Sequence, residues 1–506
     1  MLKVVLSPAT NSARRSIVRS TARATLAACA ALVCLTSLGT AQNPGIITQL
    51  FAFPCPLEQS SFCSQGYAPN VLLEASDGNF YGAAQLTTIG SSNSQGGTLF
   101  KITPSGQFTL LFTFRQNSSG SYVNGNQPAT ALAEANDGFL YGATFTGGAN
   151  NSGVLFRISK SGTGFRVVHN FCSAANCSDG NLPDSLFVGH DGNLYGTTAV
   201  GGLADQACGV FGGCGTIFRF SPPGTFTTLH ELNGTTEGAI PRGMTQGADG
   251  NFYGAGGGSV FRFTLGGQFT VLHSFAPLGV LPTQASSGLF QASNGKLYGS
   301  LVNYSLSQLQ FYEINTSGSG FQEFPSFGNR TSNGAVPTLV QASDGNLWGV
   351  GPLLDGNGAI FALSQDTGAV VHSFAFSGAN GGYPDGGVVQ AADGKLYGTA
   401  TQGGTLASST SFAYGTVWSF PAGLHAPSPA VATFSPSSGA VGSTVTIRGD
   451  HLIGTTAVEF NGVSAAFKVL NVHFIAATVP AGATSGSITV TNRGGAIAST
   501  QHFTVQ

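Results

Sequence analysis

Charged residues are scarce in this sequence. It has 19 Lys and Arg and 21 Asp and Glu among 506 residues, and 42% of its residues are apolar. Disordered chains combine high net charge with low hydrophobicity, so this composition excludes a largely disordered chain. Five of the 19 basic residues and none of the acidic ones fall in residues 1–41, which leaves 14 basic and 21 acidic residues afterwards. This acidic balance argues against a phosphate-binding surface, and we expect no nucleic-acid partner.

Long apolar runs and catalytic motifs are also missing. After residue 41, no stretch reaches the roughly 18 consecutive apolar residues of a membrane-spanning helix, so we expect no transmembrane segment in the mature chain. The sequence has no Gly-x-Ser-x-Gly, His-Glu-x-x-His or phosphate-binding glycine motif. We therefore predict no catalytic residue, no metal and no cofactor. Instead, the 74 glycines and 38 phenylalanines predict a turn-rich, all-β protein.

The first 41 residues have the pattern of an export signal peptide. A basic segment (residues 3–23) precedes an apolar run (residues 26–38), and small residues form a cleavage site before Gln42. Two alternatives remain open. Leu26–Cys29 resembles a lipoprotein box, although arginines precede it, and Arg14–Arg15 resembles a twin-arginine signal. We expect a secreted or cell-surface location, with the periplasm as a further possibility.

Six cysteines follow the signal, and they fall into three local couples. Their short separations favour pairing within each couple, as expected of an exported protein. Zinc binding is the alternative, but the spacings do not repeat and no histidine lies at zinc-ligand spacing from any couple. The predicted disulfides are Cys55–Cys63, Cys172–Cys177 and Cys208–Cys214.

Internal repetition is the strongest feature of the sequence. A motif of the form Asp-Gly-Asn-Leu-Tyr-Gly recurs seven times, with a mean spacing of about 53 residues, which is typical of a four-stranded propeller blade. Asp-Gly tolerates positive φ, so each copy predicts a β-hairpin turn. A third-strand aromatic column follows the motif. Its members are Phe100, Phe156, Phe218, Phe261, Phe311, Phe361 and Trp418. The copies of the motif begin at Asp77, Asp137, Asp191, Asp249, Asn294, Asp344 and Asp393.

The two ends of the repeat array are offset by one strand. The seventh repeat ends after its third strand, Gly415–Phe420, whereas an extra strand of the fourth type, Ile46–Phe53, precedes the first repeat. If these two strands pair, they close a ring and remove an exposed sheet edge. An open solenoid would need polar caps instead. The predicted fold of residues 42–420 is an all-β, seven-bladed β-propeller in which the N-terminal strand closes the last blade.

The repeats resemble a known family. Asp191–Thr198 (DGNLYGTT), followed by Gly215–Phe218, is similar to the GloVer tandem repeat of exported bacterial proteins, and the resemblance covers about residues 46–420. Members of that family are choice-of-anchor proteins with different C-terminal attachment modules. The resemblance therefore implies export but no particular activity. This sequence departs from the family in lacking a terminal hydrophobic sorting tail.

A proline-containing linker, residues 421–429, precedes a different C-terminal pattern. Residues 430–506 contain short alternating segments such as Val445–Gly449 and Val458–Gly462, and they are similar to the IPT/TIG domain. The similarity implies an immunoglobulin-like β-sandwich of about seven strands. Such domains can contact DNA in transcription factors. Export and the acidic balance favour a spacer or adhesion module here.

Most chemistry-bearing residues of the repeats have a structural interpretation. The motif aspartates could ligate calcium, but Asp before Gly is favoured in turns for its backbone conformation. The motif Tyr/Trp column could stack on sugars, but its recurrence beside glycine favours packing between blades. Four histidines occupy one repeat position in different blades, so they cannot converge on a metal or serve as paired bases. They are His169, His230, His273 and His372.

The longer connections predict which face of the propeller is functional. The fourth-to-first and second-to-third connections share one face, here called the loop face, and the Asp-Gly turns lie on the other, the turn face. All three cysteine couples are on the loop face, and loops of this kind carry recognition residues. Other acids and aromatics there are Glu58, Asp179, Asp184, Glu237, Tyr67, Tyr122 and Tyr304. The predicted ligand-binding residues are Asp205, Phe211, Asp355, Asp385, Tyr383 and Tyr414.

Three functional hypotheses follow. The first is an exported, non-catalytic, monomeric propeller that binds a glycan or protein at the cell surface or outside the cell. The alternative is a carbohydrate-active hydrolase or lyase that uses two loop carboxylates across the central opening. The third is a purely structural surface protein.

Overall fold

The computed structural model describes residues 45–56, 62–88, 96–205, 208–209, 212–275, 283–285, 288–303, 308–325, 327–329, 338–351, 356–384, 386–406 and 411–506. These residues form β-strands and turns, with one short 3₁₀ turn among them at Ala175–Cys177. None of the described segments is a helix long and apolar enough to cross a bilayer. The predicted signal peptide lies outside the described residues.

Between residues 48 and 420, the described segments form seven antiparallel sheets, one for each copy of the motif. The strand β1 (Thr48–Pro56) comes first in the chain. Sheet 1 contains β2 (Phe62–Pro69), β3 (Leu73–Glu74), β4 (Phe80–Thr88), β5 (Thr98–Ile102) and β6 (Phe108–Thr113). Sheet 2 contains β7 (Asn126–Pro128), β8 (Ala133–Glu134), β9 (Phe139–Thr146), β10 (Val154–Ser159) and β11 (Arg166–Asn170). Sheet 3 contains β12 (Asn181–Val188), β13 (Leu194–Val200), β14 (Thr216–Ser221) and β15 (Thr225–Glu231).

The remaining repeats follow the same plan, except that two short strands pair with the third strand of sheet 5. Sheet 4 contains β16 (Ala239–Gln246), β17 (Phe252–Gly257), β18 (Ser259–Phe263) and β19 (Phe269–Ser274). Sheet 5 contains β20 (Thr283–Ala285), β21 (Phe290–Gln291), β22 (Leu297–Asn303), β23 (Gln308–Ile314), β24 (Gln322–Glu323) and β25 (Phe327–Asn329). Sheet 6 contains β26 (Leu339–Gln341), β27 (Leu347–Gly351), β28 (Ala359–Leu363) and β29 (Val370–Ala375). Sheet 7 contains β30 (Val388–Gln390), β31 (Leu396–Ala400) and β32 (Ser411–Phe420), together with β1.

The N-terminal strand β1 completes the sheet of the last repeat. It pairs antiparallel with β32, with Thr48 opposite Ser419 and Cys55 opposite Phe412. The strand begins two residues later than predicted and extends to Pro56. The predicted offset between the two ends of the array therefore corresponds to an observed pairing.

The glycine of the motif is needed because a third-strand ring lies against it. A side chain on Gly196 would overlap the ring of Phe218, and one on Gly398 would overlap Trp418. In sheet 5, the prediction that Phe311 belongs to this column is wrong. Gly299 lies opposite Tyr312, whose ring fills the place next to it, because the pairing of β22 with β23 is shifted by one residue.

The hydrophobic cores lie between consecutive sheets. Each of seven buried clusters joins one sheet to the next, from sheets 1 and 2 onwards. The seventh cluster joins the last sheet to the first, with Phe53, Tyr397 and Val417 packed against Phe80 and Phe100. The contacts between sheets therefore form a closed series.

Three of the four fourth-strand histidines pack between sheets. The predicted equivalence of His372 is wrong, because it pairs with Ala362 in the third strand and its exposed ring lies beside Trp348 of its own sheet, while Phe374 takes the equivalent register position. At this position a ring stacks face to face on the aromatic residue that opens the fourth strand of the next sheet. The histidine pairs are His169–Phe226, His230–Phe269 and His273–Phe321, and phenylalanines make the equivalent pairs Phe51–Phe108 and Phe112–Phe165.

A repeated hydrogen bond, here called the inter-sheet latch, connects neighbouring sheets. The side chain three residues before the motif accepts the backbone N–H of the residue just before the motif of the preceding sheet. The acceptor and donor residues are Glu74–Ala392, Glu134–Ser76, Gln246–His190, Gln291–Ala248, Gln341–Ser293 and Gln390–Ser343. Val188 occupies this place in sheet 3 and has no acceptor atom.

Residues 430–506 form two further sheets that share one core. The first is ordered β33 (Ala430–Ser435), β35 (Thr444–Asp450), β39 (Phe474–Thr478) and β38 (Phe467–Asn471). The second is ordered β34 (Ser438–Gly439), β41 (Gly495–Val505), β40 (Gly486–Asn492), β36 (Ala457–Phe460) and β37 (Val463–Ser464). The nine strands exceed the predicted seven because two are short pairs at the sheet edges. The shared core includes Val445, Ile475, Ile488 and Phe503. We call residues 430–506 the C-terminal unit.

The C-terminal unit packs against the motif turns of the repeats. Asn471 Nδ2 donates hydrogen bonds to the backbone oxygen of Glu134 (3.0 Å) and to Asn136 Oδ1 (2.8 Å). The linker contributes as well, because the backbone oxygen of His425 accepts from Ser343 Oγ (2.7 Å) and Gln390 Nε2 (2.9 Å). The turn face is therefore partly covered by the protein's own C-terminal residues.

Candidate functional site

A cleft opens on the loop face at the junction of the last and first sheets. Its volume is about 840 Å³. Sheets 1, 2 and 7 line it, which brings together both ends of the repeat array. The lining residues are Tyr67, Ala68, Pro69, Asn70, Val71, Gln85, Ala129, Gly386, Thr401, Gln402, Gly403, Ala413 and Tyr414.

Two half-buried tyrosines from different sheets meet in this cleft. The rings of Tyr67 in β2 and Tyr414 in β32 have centroids 6.0 Å apart, with planes inclined at 62°. This edge-to-face geometry is favourable for two aromatic rings. Gly66 before the first tyrosine and Gly415 after the second have φ of 80° and 114°, which β-carbon-bearing residues rarely adopt. The local chain direction that presents both rings therefore depends on glycine.

The remaining cleft surface is neutral and combines apolar side chains with amides. Among the described residues, the side-chain amides of Gln85 and Gln402 make no hydrogen bond to another residue. Gly386 and Gly403 add backbone without side chains. None of the described lining residues carries a charged side chain. Asn70 is different, because its amide is engaged with the backbone of Ala83 and of neighbouring sheet 2.

A residue-proline pair recurs at the first strand of five described repeats, and sequence reasoning missed it. The first of these pairs, Ala68–Pro69, lines the cleft. The residue before proline has left-handed φ in five described repeats, which is rare for residues with a side chain. In the first repeat, Pro69 packs against Gly415 of sheet 7, so a side chain on that glycine would overlap the proline ring. The recurrence of X-Pro upstream of the motif was the available signal. The five residues are Ala68, Gln127, Leu182, Ile240 and Tyr383.

The predicted ligand-binding residues divide into three groups. Tyr414 lines the cleft, and Tyr383 adjoins it because its backbone oxygen accepts Thr401 Oγ1 at 2.9 Å. The carboxylate of Asp205 instead connects two loops, accepting hydrogen bonds from the backbone N–H (2.8 Å) and Oγ1 (3.0 Å) of Thr235. Phe211, Asp355 and Asp385 lie outside the described residues, as do Glu58 and Tyr304.

Two other loop-face acids hold the loops in place. Asp179 accepts from Ser173 and Ala174, and His169 Nε2 lies 3.1 Å from its Oδ2. Burial opposes ionisation of Asp179, but these hydrogen bonds outweigh it and lower its pKa. Glu237 Oε2 pairs in the same way with His230 Nε2 at 2.8 Å. Both carboxylates therefore serve the loop structure.

Asp184 has a different environment. It lies in β12, the first strand of sheet 3, and its Oδ1 is 3.9 Å from Arg242 Nη1 in the first strand of sheet 4. Burial raises the pKa of Asp184, and the charge of Arg242 opposes the shift. A carboxyl group with a raised pKa is a candidate proton donor.

All three predicted disulfides are present, which confirms the local pairing. Cys55 belongs to β1 in sheet 7 and Cys63 to β2 in sheet 1, so this bond crosses the junction beside the cleft. Asp205 Oδ1 lies within 3.6 Å of the sulfurs of Cys208 and Cys214. Because those sulfurs are bonded to each other, they are not available as thiolate ligands for a metal.

A smaller cavity of about 210 Å³ lies between the repeats and the C-terminal unit. Leu72, Glu74 and Ala392 line it on one side, and His451 and Val472 on the other. Burial raises the pKa of Glu74 to about 7, with a further contribution from the charge of Asp393, although the hydrogen bond from Ala392 opposes the shift.

Comparison with solved structures finds chains of low sequence identity to this one. A fungal alcohol oxidase of the AA5 family, solved with copper, is 13% identical over 92% of this chain and 100% of its own, with a TM-score of 0.43. The extracellular domain of a hybrid two-component system from B. thetaiotaomicron is 13% identical over 90% of this chain and 54% of its own, with a TM-score of 0.45. A chain of the nidogen/laminin complex is 14% identical over 61% of this chain and 94% of its own, with a TM-score of 0.34.

The repeated sheets and motifs define an all-β protein of propeller-like repeats. The sequence model of the Gloeobacter/Verrucomicrobia repeat matches residues 31–211, 68–258 and 255–467. The chain belongs to the Gloeobacter/Verrucomicrobia repeat family, which confirms the family predicted from the motifs. These matches provide no evidence for an IPT/TIG domain. No curated protein sequence matches the chain.

Proposed function

We propose that this protein is an exported, non-catalytic binding protein whose ligand, a glycan or a protein, occupies the cleft at Tyr67 and Tyr414. The observation that carries the proposal is the position of the cleft. It is a concave, partly apolar surface of the size that holds small ligands. It lies on the loop face, whereas the C-terminal unit contacts the turn face.

Three disulfides support an oxidising location outside the cytoplasm, because cytosolic thiols are normally kept reduced. We propose secretion or cell-surface display through the signal peptide in residues 1–41. The seven sheets and their closed series of cores support a seven-bladed propeller over residues 42–420. We propose that this protein is monomeric.

We propose that residues 430–506 are an IPT/TIG domain, an immunoglobulin-like sandwich reached through the linker 421–429. Two antiparallel sheets around one core support this assignment. The contacts of Asn471 with sheet 2 make this unit a fixed partner of the repeats rather than a freely swinging spacer.

The proposal is tested with the mature full-length protein on arrays of polysaccharides and extracellular proteins. The substitution Tyr414→Ala removes one of the two cleft rings. We expect the affinity for the ligand to fall by about tenfold or more. Ser105→Ala, in the turn that follows β5, is the matched control and should bind like the parent. Equal binding by Tyr414→Ala and the parent would overturn the cleft assignment.

A carbohydrate-active hydrolase or lyase is the second candidate, and Asp184 is the observation that favours it. A half-buried carboxyl group with a raised pKa can act as a general acid. Product analysis of polysaccharides incubated with the parent and with Asp184→Asn distinguishes the two functions. Turnover that is lost in Asp184→Asn would replace the binding proposal, whereas binding without products would support it.

A further inference from the structure

We infer that the cleft binds an uncharged carbohydrate chain. This inference rests on the proposed binding function and adds the chemical class of the ligand. Three features of the cleft carry it: an aromatic pair, two available amides and a lining without charge.

The aromatic pair provides a surface for the apolar face of a sugar ring. Tyr67 and Tyr414 are half-buried, so each ring leaves part of its surface open to the cleft. A pyranose ring has one face rich in C–H groups, which packs against an aromatic ring and removes apolar surface from water. Because the two rings are inclined at 62°, they form a corner rather than a flat platform.

The amides of Gln85 and Gln402 suit hydroxyl groups. Each amide offers an oxygen that accepts and an NH₂ group that donates hydrogen bonds. A sugar hydroxyl can donate to the oxygen and accept from the nitrogen. Both amides lack a partner among the described residues and border the same cleft as the tyrosines. A ligand with several neighbouring hydroxyls can therefore satisfy both amides while its ring covers the aromatic corner.

The absence of charge among the described lining residues selects against ionic ligands. A uronate, sulfate or phosphate that enters a cleft loses hydration, and an unpaired ion is costly to desolvate. Arg or Lys normally compensates that loss. None is found among the described residues of the cleft, and the chain after residue 41 has more acidic than basic residues. An acidic polysaccharide or a charged peptide would meet neutral amides and a negative overall field.

The size of the cleft agrees with a short segment of a glycan. Small-ligand pockets typically span about 300–1,000 Å³, and this cleft has about 840 Å³. A stable protein partner instead needs roughly 800 Å² of contact on each side, which extends well beyond one concave site. A protein ligand is therefore an outcome of the test rather than the proposal.

The test uses isothermal titration of the mature full-length protein with defined hexasaccharides. The neutral probes are oligomers of glucose in α and β linkages, xylose, mannose and N-acetylglucosamine. The acidic probes are oligomers of alginate, polygalacturonate and hyaluronan. We expect at least one neutral probe to bind, with affinity reduced about tenfold or more in both Tyr414→Ala and Gln402→Ala. Tyr122→Ala, which replaces a half-buried loop-face tyrosine outside the cleft, should keep the parent affinity.

The possible outcomes separate the ligand class from the binding function. If only acidic probes or proteins bind, and Tyr414→Ala weakens them, the inference is overturned while the proposed function stands. If a neutral probe binds equally to the parent and to both cleft variants, the carbohydrate inference and the proposed binding function are both overturned for this site. If no neutral probe binds at millimolar concentration, the carbohydrate inference is rejected.

Discussion

At the scale of single residues, the motif aspartate and tyrosine act as one hydrogen-bonded pair. The tyrosine hydroxyl donates to the aspartate four residues earlier, at 2.7 Å for Tyr253 and Asp249. The same carboxylate accepts the backbone N–H of Asn251 in the turn. Sequence reasoning assigned the aspartate to the turn and the tyrosine to the core, and both assignments describe parts of this pair. The same pair recurs at Tyr81, Tyr141, Tyr195 and Tyr397, so a structural role accounts for both residues of the motif.

The first prediction concerns this pair. Tyr253→Phe removes a hydrogen bond to a carboxylate, so we expect the free energy of unfolding to fall by about 1–2 kcal/mol. Burial opposes ionisation of Asp249, but the hydrogen bonds from Tyr253 and Asn251 outweigh it and lower its pKa below the ordinary 3.8. The stabilisation is therefore present above pH 3.8 and is lost as the pH falls through the folded-state pKa. Denaturant unfolding at neutral and acidic pH measures both effects.

Tyr122→Phe is the control for this prediction. The hydroxyl of Tyr122 makes no hydrogen bond to another described residue, so its removal should change stability by less than about 0.5 kcal/mol. Equal losses in Tyr122→Phe and Tyr253→Phe would show that the aspartate contact contributes nothing specific.

The second prediction concerns Glu74, which takes the latch position that glutamine holds in four other repeats. Its pKa is raised to about 7, so the folded state binds the proton more tightly than the unfolded chain does. The resulting stabilisation is complete below the ordinary pKa of 4.5 and is lost as the pH rises through about 7. Glu74→Gln keeps an acceptor for Ala392 and cannot ionise. We expect the variant to gain on the order of 1–3 kcal/mol over the parent between pH 4 and pH 8.

Thermal unfolding of both proteins across this pH range tests the assignment. Parallel curves for the parent and Glu74→Gln would mean that the carboxyl group titrates normally and that its burial has no energetic consequence.

At the scale of secondary structure, β1 and the Cys55–Cys63 disulfide connect the two ends of the array. The strand covers the edge of β32, and the disulfide links β1 to β2 in the neighbouring sheet. An uncovered edge of β32 would expose unpaired backbone groups, which favours aggregation. The junction between the last and first sheets is thus fastened both by backbone hydrogen bonds and by a covalent bond.

The third prediction is that this junction depends on both elements. Deleting residues 45–56 should cause aggregation, detected by size-exclusion chromatography. Replacing Cys55→Ser together with Cys63→Ser should cost about 2 kcal/mol and increase amide exchange in β1 and β32. The double variant Cys172→Ser and Cys177→Ser opens a loop inside one connection, so it should leave exchange in β1 and β32 unchanged. Unaltered exchange at the junction in the first pair of variants would contradict the fastening role of the disulfide.

At the scale of the whole molecule, the C-terminal unit contacts the repeats where their own latch is missing. Val188 in sheet 3 cannot accept a hydrogen bond from sheet 2, and Asn471 contacts Glu134 and Asn136 at that place. The rings of His473 and His190 add a contact with sheet 3, with centroids 6.3 Å apart. The unit therefore stabilises the one joint that lacks the latch within the described repeats.

The fourth prediction tests this contact. Asn471→Ala removes two hydrogen bonds and should weaken docking by about 1–2 kcal/mol, seen as faster amide exchange around Glu134–Asn136 and faster limited proteolysis of the linker. Adding Val188→Gln supplies the side chain that other repeats use. This second substitution should restore slow amide exchange at Asn136 without restoring the resistance of the linker to proteolysis. Unchanged exchange in Asn471→Ala would show that the docking depends on other contacts.

Much of the repeat architecture could be predicted from local sequence signals. Turn chemistry and alternating apolar residues act over a few residues. The seven motifs, the offset strand and the cysteine couples could therefore be recognised in the sequence. The sequence did not reveal the single-residue register shift in sheet 5, because register depends on the partner strand. That shift places Tyr312 rather than Phe311 against Gly299. The latch was also missed, since its donor and acceptor belong to different repeats.

The sequence by itself determined the β-strand class, the repeat count and the disulfide pairs, because each follows from spacing between nearby residues. Only the tertiary structure decided that Tyr67 and Tyr414 meet, that Asp205 connects two loops, and that Asn471 contacts the turn face. Those contacts join residues that are distant in the chain. They form because closing the sheets into a series brings the first and last repeats together, and no local pattern encodes that proximity.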